Sequence, residues 1–254
     1  MAAEGGTVRA SHCAENHEVR VCVMRWLAPL FLFLLTASAA PDEKTFLVSG
    51  FDRVRIDGPF EVEVRTGSTR AVAIGDTKAL QRLSLRVDGG TLVVSAGAEG
   101  WTQPTGQQLA TPRIIVATPA LRALLVNGGG RVRAAAMKGA RVEIGLNGGG
   151  AVTVGAIQTE DLNVTLSGTG AMTLGGTARR ARIRSNGAGG IDASGLIAGD
   201  ATLLWESAGG LRIGVRYTSQ IFAMGLGTVQ ILGTPECRIS GNGPVLCQGK
   251  VVRR

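Results

Sequence analysis

Four arginines crowd into six residues: Arg179, Arg180, Arg182 and Arg184. Arg182 and Arg184 flank the apolar Ile183, so in a strand both emerge on one outer face, where Arg141 is expected two repeats away. Guanidinium groups side by side suit carboxylate, sulfate or phosphate oxygens through charge-assisted hydrogen bonds, which points to an anionic glycan or a lipid head group. Trp101, in a 98–112 stretch with little apolar pattern, is the single residue best suited to stack on a sugar ring. Both features have plainer readings that the sequence leaves open: a charge run as a solvated edge, and a loop packed on its own tryptophan.

Catalytic chemistry is poorly supplied. The two histidines, His12 and His17, lie upstream of an expected export cleavage, so the exported chain would carry no imidazole for general base or zinc chemistry. Glu160 and Asp161, adjacent in a strand, point to opposite faces, and their expected place is a solvated turn. The positions four before successive glycine motifs, Glu143, Asn163, Arg182, Leu203 and Gln220, stack no carboxylate pair. Tyr217, the only tyrosine, has no evident partner for a lyase. The expectation is a non-enzyme with no cofactor and no metal.

What must position these groups is a repeat. Glycine motifs return at Asn127-Gly128-Gly129-Gly130, Asn147-Gly148-Gly149-Gly150, Ser167-Gly168-Thr169-Gly170, Asn186-Gly187-Ala188-Gly189, Ser207-Ala208-Gly209-Gly210, Met224-Gly225-Leu226-Gly227 and Ser240-Gly241-Asn242-Gly243, in steps of 20, 20, 19, 21, 17 and 16 residues. Apolar residues alternate on both sides, as in Leu162-Asn163-Val164-Thr165-Leu166 and Met172-Thr173-Leu174, so each unit is strand, turn, strand. Units of this length that cannot bury a face alone must stack, which predicts an all-β, right-handed β-helix-like solenoid.

Aligned on the motifs, two columns are predicted to point inward. Three residues before each anchor stand Leu124, Ile144, Val164, Ile183, Leu204, Ile221 and Cys237. Five after stand Val132, Val152, Met172, Ile191, Arg212, Val229 and Val245. Arg212, between Leu211 and Ile213, signals a one-residue shift or a bulge there. Cys247 falls seven after its anchor with Val154, Leu174, Ala193 and Ile231, so both cysteines face the core and a Cys237–Cys247 disulfide is predicted to close the last coil.

Upstream, residues 46–97 break into strand-like pieces separated by turns at Asp57-Gly58-Pro59, Thr66-Gly67-Ser68 and Asp88-Gly89-Gly90, and are expected to form an irregular β section capping the solenoid. Residues 98–112 form a loop, and 113–250 the regular coils. The opening Phe51-Asp52-Arg53-Val54-Arg55-Ile56 with Gly58-Pro59-Phe60-Glu61-Val62, the Leu85 to Val94 run and the serial glycine turns resemble the GIN domain, a family described as auto-transporter adhesin heads of bacterial envelopes. The resemblance implies a β-helix-like fold and a surface or periplasmic role in adhesion, and carries over no catalytic residue. The family's turns are typically Gly-Ser-Gly, from which Asn-Gly-Gly-Gly departs.

Residues 24–39 have the form of a secretory signal: Arg25, an apolar run Trp26–Leu35 far short of the roughly 20 residues needed to span a bilayer, then Ala37-Ser38-Ala39. Residues 1–23 are expected to be either an upstream mis-assigned start or a disordered extension, leaving 40–254 as one exported domain without a transmembrane span, in the periplasm, on the outer surface or secreted. The charge of +8 persists after that cleavage and, for an exported chain, suggests anionic envelope partners; few aromatics and the compartment argue against nucleic acid. The reading is an envelope binding or adhesion protein for anionic glycan, lipid head group or envelope protein. A structural factor binding a protein partner is the alternative, and a polysaccharide lyase a more distant one.

Overall fold

The computed structural model describes residues 42–97 and 110–253. Trp101 and the expected signal segment lie outside them. The upstream section contains β1 (Asp42–Phe46), β2 (Arg53–Asp57), β3 (Glu61–Thr66), β4 (Arg70–Gly75), a short helix α1 (Thr77–Gln81), β5 (Leu83–Asp88) and β6 (Thr91–Ala96). The helix has no counterpart in the strand-only expectation for this section. It starts where the Asp76 carboxylate accepts from the Lys78 amide, and it buries Ala79 and Leu80.

Downstream run β7 (Arg113–Thr118), β8 (Ala123–Asn127), β9 (Arg131–Gly148), β10 (Ala151–Gly168), β11 (Ala171–Gly187), β12 (Gly190–Ser207), β13 (Leu211–Ala223), β14 (Val229–Leu232), β15 (Glu236–Ser240), β16 (Val245–Cys247) and β17 (Lys250–Arg253). They build a β-solenoid of about six turns with coils of about 20 residues. β9 to β13 bend through each coil, so they contribute to two ladders. One runs β1-β4-β7-β3 and then through the first parts of β9 to β13 to β14 and β16; the other runs β5-β6-β2-β8 and then through their last parts to β15 and β17.

The upstream section is woven into the stack. β2 lies between β6 and β8, and β3 between β7 and β9, all in parallel, while antiparallel β4 followed by β1 finishes one ladder and antiparallel β5 the other. β7 therefore stands outside β3, and coils stacked in sequence order begin at β8. The Asp57-Gly58-Pro59 turn serves as the first glycine turn: the Gly58 amide donates to Asn127 O, and the Asn127 side-chain amide to Asp57. Asn147 donates to Asn127 in turn, continuing the ladder.

The inward columns are buried and in register from Leu124 through Ile144 and Val164 to Ile183. The next coil departs by one residue. Asn186 pairs with Glu206 and not Ser207, so Leu203 occupies the inward column, Leu204 turns outward, and Thr202 replaces Leu203 in the column of Glu143, Asn163 and Arg182. Ser207 takes a glycine position and is fully buried, its hydroxyl donating to Gly189 O at 2.6 Å. Trp205, also fully buried between Ser185 and Ala223, donates from its indole to Gly209 O at 2.9 Å. The same slip places Leu211, not Arg212, opposite Ile191 and Val229.

In the last coil the departure is two residues. Ile221 pairs with Ile239, and Cys237 joins the column of Val142, Leu162, Ala181, Ala201 and Ser219 instead of that of Ile144 and Val164. A slip of two preserves the face, so Cys237 remains inward, fully buried, and is bonded to Cys247, which pairs with Ile231 as expected.

Candidate functional site

Two of the clustered arginines are engaged by the solenoid itself. The Arg180 guanidinium spans both oxygens of Asp161 at 2.7 and 2.9 Å, and Arg179 lies 3.6 Å from Glu160. Glu160 and Asp161 are in a strand rather than a turn, one coil before their partners. Arg141 sits opposite Asp161 on the other side, and Asp200 opposite Arg180, giving a column of alternating sign across four coils. The Arg180 hydrogen bond holds the Asp161 carboxyl below its ordinary range, with smaller help from the charges of Arg141 and Arg182. Opposite charges directly across a ladder stabilise the pairing, so this column aligns coils.

Arg182 and Arg184 are different. They flank fully buried Ile183, project outward from β11, and form no ion pair among the described residues. Arg182 lies between Asn163 and Thr202, and Arg184 between Thr165 and Leu204, so neither has a carboxylate beside it in its column. Both guanidinium groups can turn toward an external anion.

The same outer face holds a groove of about 490 Å³ that no sequence motif marks. Its floor is low where Ala123 and Gly145 stand between longer side chains, with Leu125 leaning over Gly145: a Cβ there would lie 2.7 Å from Leu125 Cδ1. Arg53, Arg55, Glu143, Asn147, Asn163 and Thr165 form its polar rim, where Arg55 is held by Asp57 at 2.9 Å and Arg53 lies 3.8 Å from Asp52. Thr165 also lines a second hollow of about 160 Å³ with Arg184, Asn186 and Glu206. Arg53, Ala123, Glu143, Asn163 and Arg182 occupy successive rungs, so at strand spacing the strip between its terminal arginines is roughly 19 Å long.

An apolar patch under a rim of donors and acceptors can bind a sugar ring by its C–H face and its hydroxyls at once. Among the described residues lining the larger groove Glu143 is the sole carboxylate, without a second beside it to form an acid and base pair. Among the described residues no group of three or more His, Cys, Asp or Glu is arranged to hold a metal. The signal that could have found the groove was small Ala123 and Gly145 at outward positions of adjoining coils; locating Arg53 and Arg55 beside them required knowing that β2 pairs with β8.

On the other ladder, Glu63 accepts from Arg65 at 2.7 Å and Arg113 at 2.6 Å, and these bonds pull its pKa down to about 2. With Arg131 and Arg133 it borders a hollow of about 400 Å³. Its carboxylate is committed to neighbouring arginines.

Several crystal structures share this fold. A "putative adhesin" from Bacteroides fragilis NCTC 9343 matches with TM-score 0.72 and 19% identity, over 85% of this chain and 98% of that one. A "putative adhesin" from Parabacteroides merdae ATCC 43184 gives 0.58 and 14%, over 85% and 97%. A "putative lipid binding protein" from Parabacteroides distasonis ATCC 8503 gives 0.52 and 17%, over 85% and 98%. No curated protein matches the chain. Residues 50–235, most of the chain, match the family described as "Putative auto-transporter adhesin, head GIN domain": the chain belongs to the GIN-domain family.

Proposed function

We propose that the protein is an exported, non-catalytic binding protein of the bacterial envelope, of adhesion type, and that it takes anionic glycan along the outer strip between Arg53 and Arg182. The observation carrying this reading is the pairing pattern of the arginines: Arg179 and Arg180 are held by internal carboxylates, while Arg182 and Arg184, one rung beyond the Asn163 and Thr165 rim of the groove, form no ion pair among the described residues. The family's adhesin description and the adhesins that share the fold support an extracellular or envelope setting. In this reading residues 24–39 direct export and are removed, and N-terminal sequencing of the exported protein should begin near Ala40.

The decisive assay is binding of residues 40–254 to immobilised acidic and neutral polysaccharides. Preference for acidic chains is expected, and replacing Arg182 and Arg184 together by Gln should weaken that binding roughly tenfold or more, the loss of two charge-assisted contacts. Equal binding to both classes, or no effect of the double replacement, overturns the reading. Release of unsaturated products from acidic chains would instead favour a lyase.

A further inference from the structure

We propose that an apolar ridge formed by Phe222, Met224 and Leu226 docks the protein on an anionic lipid surface. Elsewhere the residues leading into the glycine turns are polar, Asn127, Asn147, Ser167, Asn186 and, by register, Glu206. The turn tips are small or polar: Gly129, Gly149, Thr169, Ala188, Ala208 and Asn242. At one turn these positions carry Met224 and Leu226, exposed by 62% and 86%. Turn geometry does not ask for them, because Gly225 and Gly227 supply the close approach to the previous coil. Phe222, exposed by 46%, extends the ridge down the adjoining strand face.

The shape and charge favour a lipid surface over a protein. Three side chains on a turn edge make a narrow ridge, a small part of the roughly 800 Å² that each partner of a stable protein complex buries. A bilayer requires no complementary surface and accepts apolar tips at the boundary between head groups and acyl chains. Arg184 lies in the same outward column as Phe222, two rungs away with Leu204 between, which is about 10 Å at strand spacing. Exposed Arg212, opposite Asp192 in the preceding coil and donating to Gln230, begins the face on the other side of the neighbouring turn and is the weaker contributor. Cations placed beside inserted apolar groups are drawn to anionic head groups, and the chain's net +8 adds long-range attraction. The carboxylate of Glu206, beside Met224 in the previous coil, opposes this and makes the proposal testable by sign.

The test uses residues 40–254, the compact unit that contains the whole described core, so that the apolar run Trp26–Leu35 does not contribute. Flotation is measured with vesicles of phosphatidylcholine alone and of phosphatidylcholine mixed with phosphatidylglycerol. The unaltered protein should bind the mixed vesicles and not the neutral ones. Met224→Ser with Leu226→Ser should reduce binding roughly tenfold or more, since two inserted apolar side chains are lost, while Glu206→Gln should strengthen it. All three substitutions are on exposed positions, and unchanged melting midpoints confirm intact folding. No vesicle binding by the unaltered protein, equal binding to neutral vesicles, or full binding by the serine variant overturns the proposal. Glycan binding by the serine variant should be unchanged, which separates this inference from the groove reading.

Discussion

Glycines of adjoining, nearly identical turns should respond oppositely to the same substitution. Gly148 has φ +122°, and a Cβ there would lie 2.7 Å from Gly128 O and 3.0 Å from Gly128 Cα. Gly129 is not in the positive-φ region, and a Cβ on it meets nothing within 4 Å. In Gly148→Ala the unfavourable φ costs about 1–3 kcal/mol. The clash adds about 1–3 more, because its partner is the backbone of a stacked coil and cannot swing aside. Gly129→Ala is free of both costs and restricts the unfolded chain, for a gain of about 0.4–1 kcal/mol. For a domain of this size, 1 kcal/mol corresponds to roughly 2–4 °C in melting midpoint. Thermal melts followed by circular dichroism near 218 nm should therefore show Gly148→Ala at least about 5 °C below the unaltered protein and Gly129→Ala at or slightly above it. Equal shifts for the two variants would refute the claim that stacked turns, rather than glycine content, demand the residue.

Val164→Asp should abolish cooperative melting or lower the midpoint severely, because it buries an unpaired carboxylate in the central column, whereas Thr165→Asp, outward on the next position, should change stability by about 0.5 kcal/mol or less. Glu63 has a folded pKa of about 2 against an ordinary 4.5, so its stabilisation is complete above the ordinary value and is lost as pH falls through that window; Glu63→Gln should flatten the acid limb of a melting-midpoint profile. Reduction of the Cys237–Cys247 disulfide opens a 10-residue separation and should cost roughly 2–3 kcal/mol, and thiol labelling of the unfolded, unreduced protein should find neither cysteine reactive.

Much of this architecture is written in short-range pattern. Alternation of period two around recurrent glycine turns determined strand, turn and coil length, and it placed Val164 inward and Thr165, Arg182 and Arg184 outward without reference to any partner strand. Cys237 and Cys247 were pairable from the same parity, since even the two-residue slip of the last coil leaves Cys237 facing the core. A slip of one residue inverts faces, and that is where the motif misled: Ser207 looks like a turn leader but is buried in a glycine position, satisfied by Gly189 O, so Leu204 and Arg212 lie outside while Leu203 and Leu211 lie within. Only the tertiary structure decided which arginines are available, because Asp161 and Arg180 are 19 residues apart and meet through coil stacking. It alone formed the groove, which joins Arg53 and Arg55 to Leu125 and Gly145 through pairing of β2 with β8 across the inserted upstream strands. Local periodicity determines which way a side chain points; what it meets there depends on the register between distant segments, which is set by the summed packing of the whole stack.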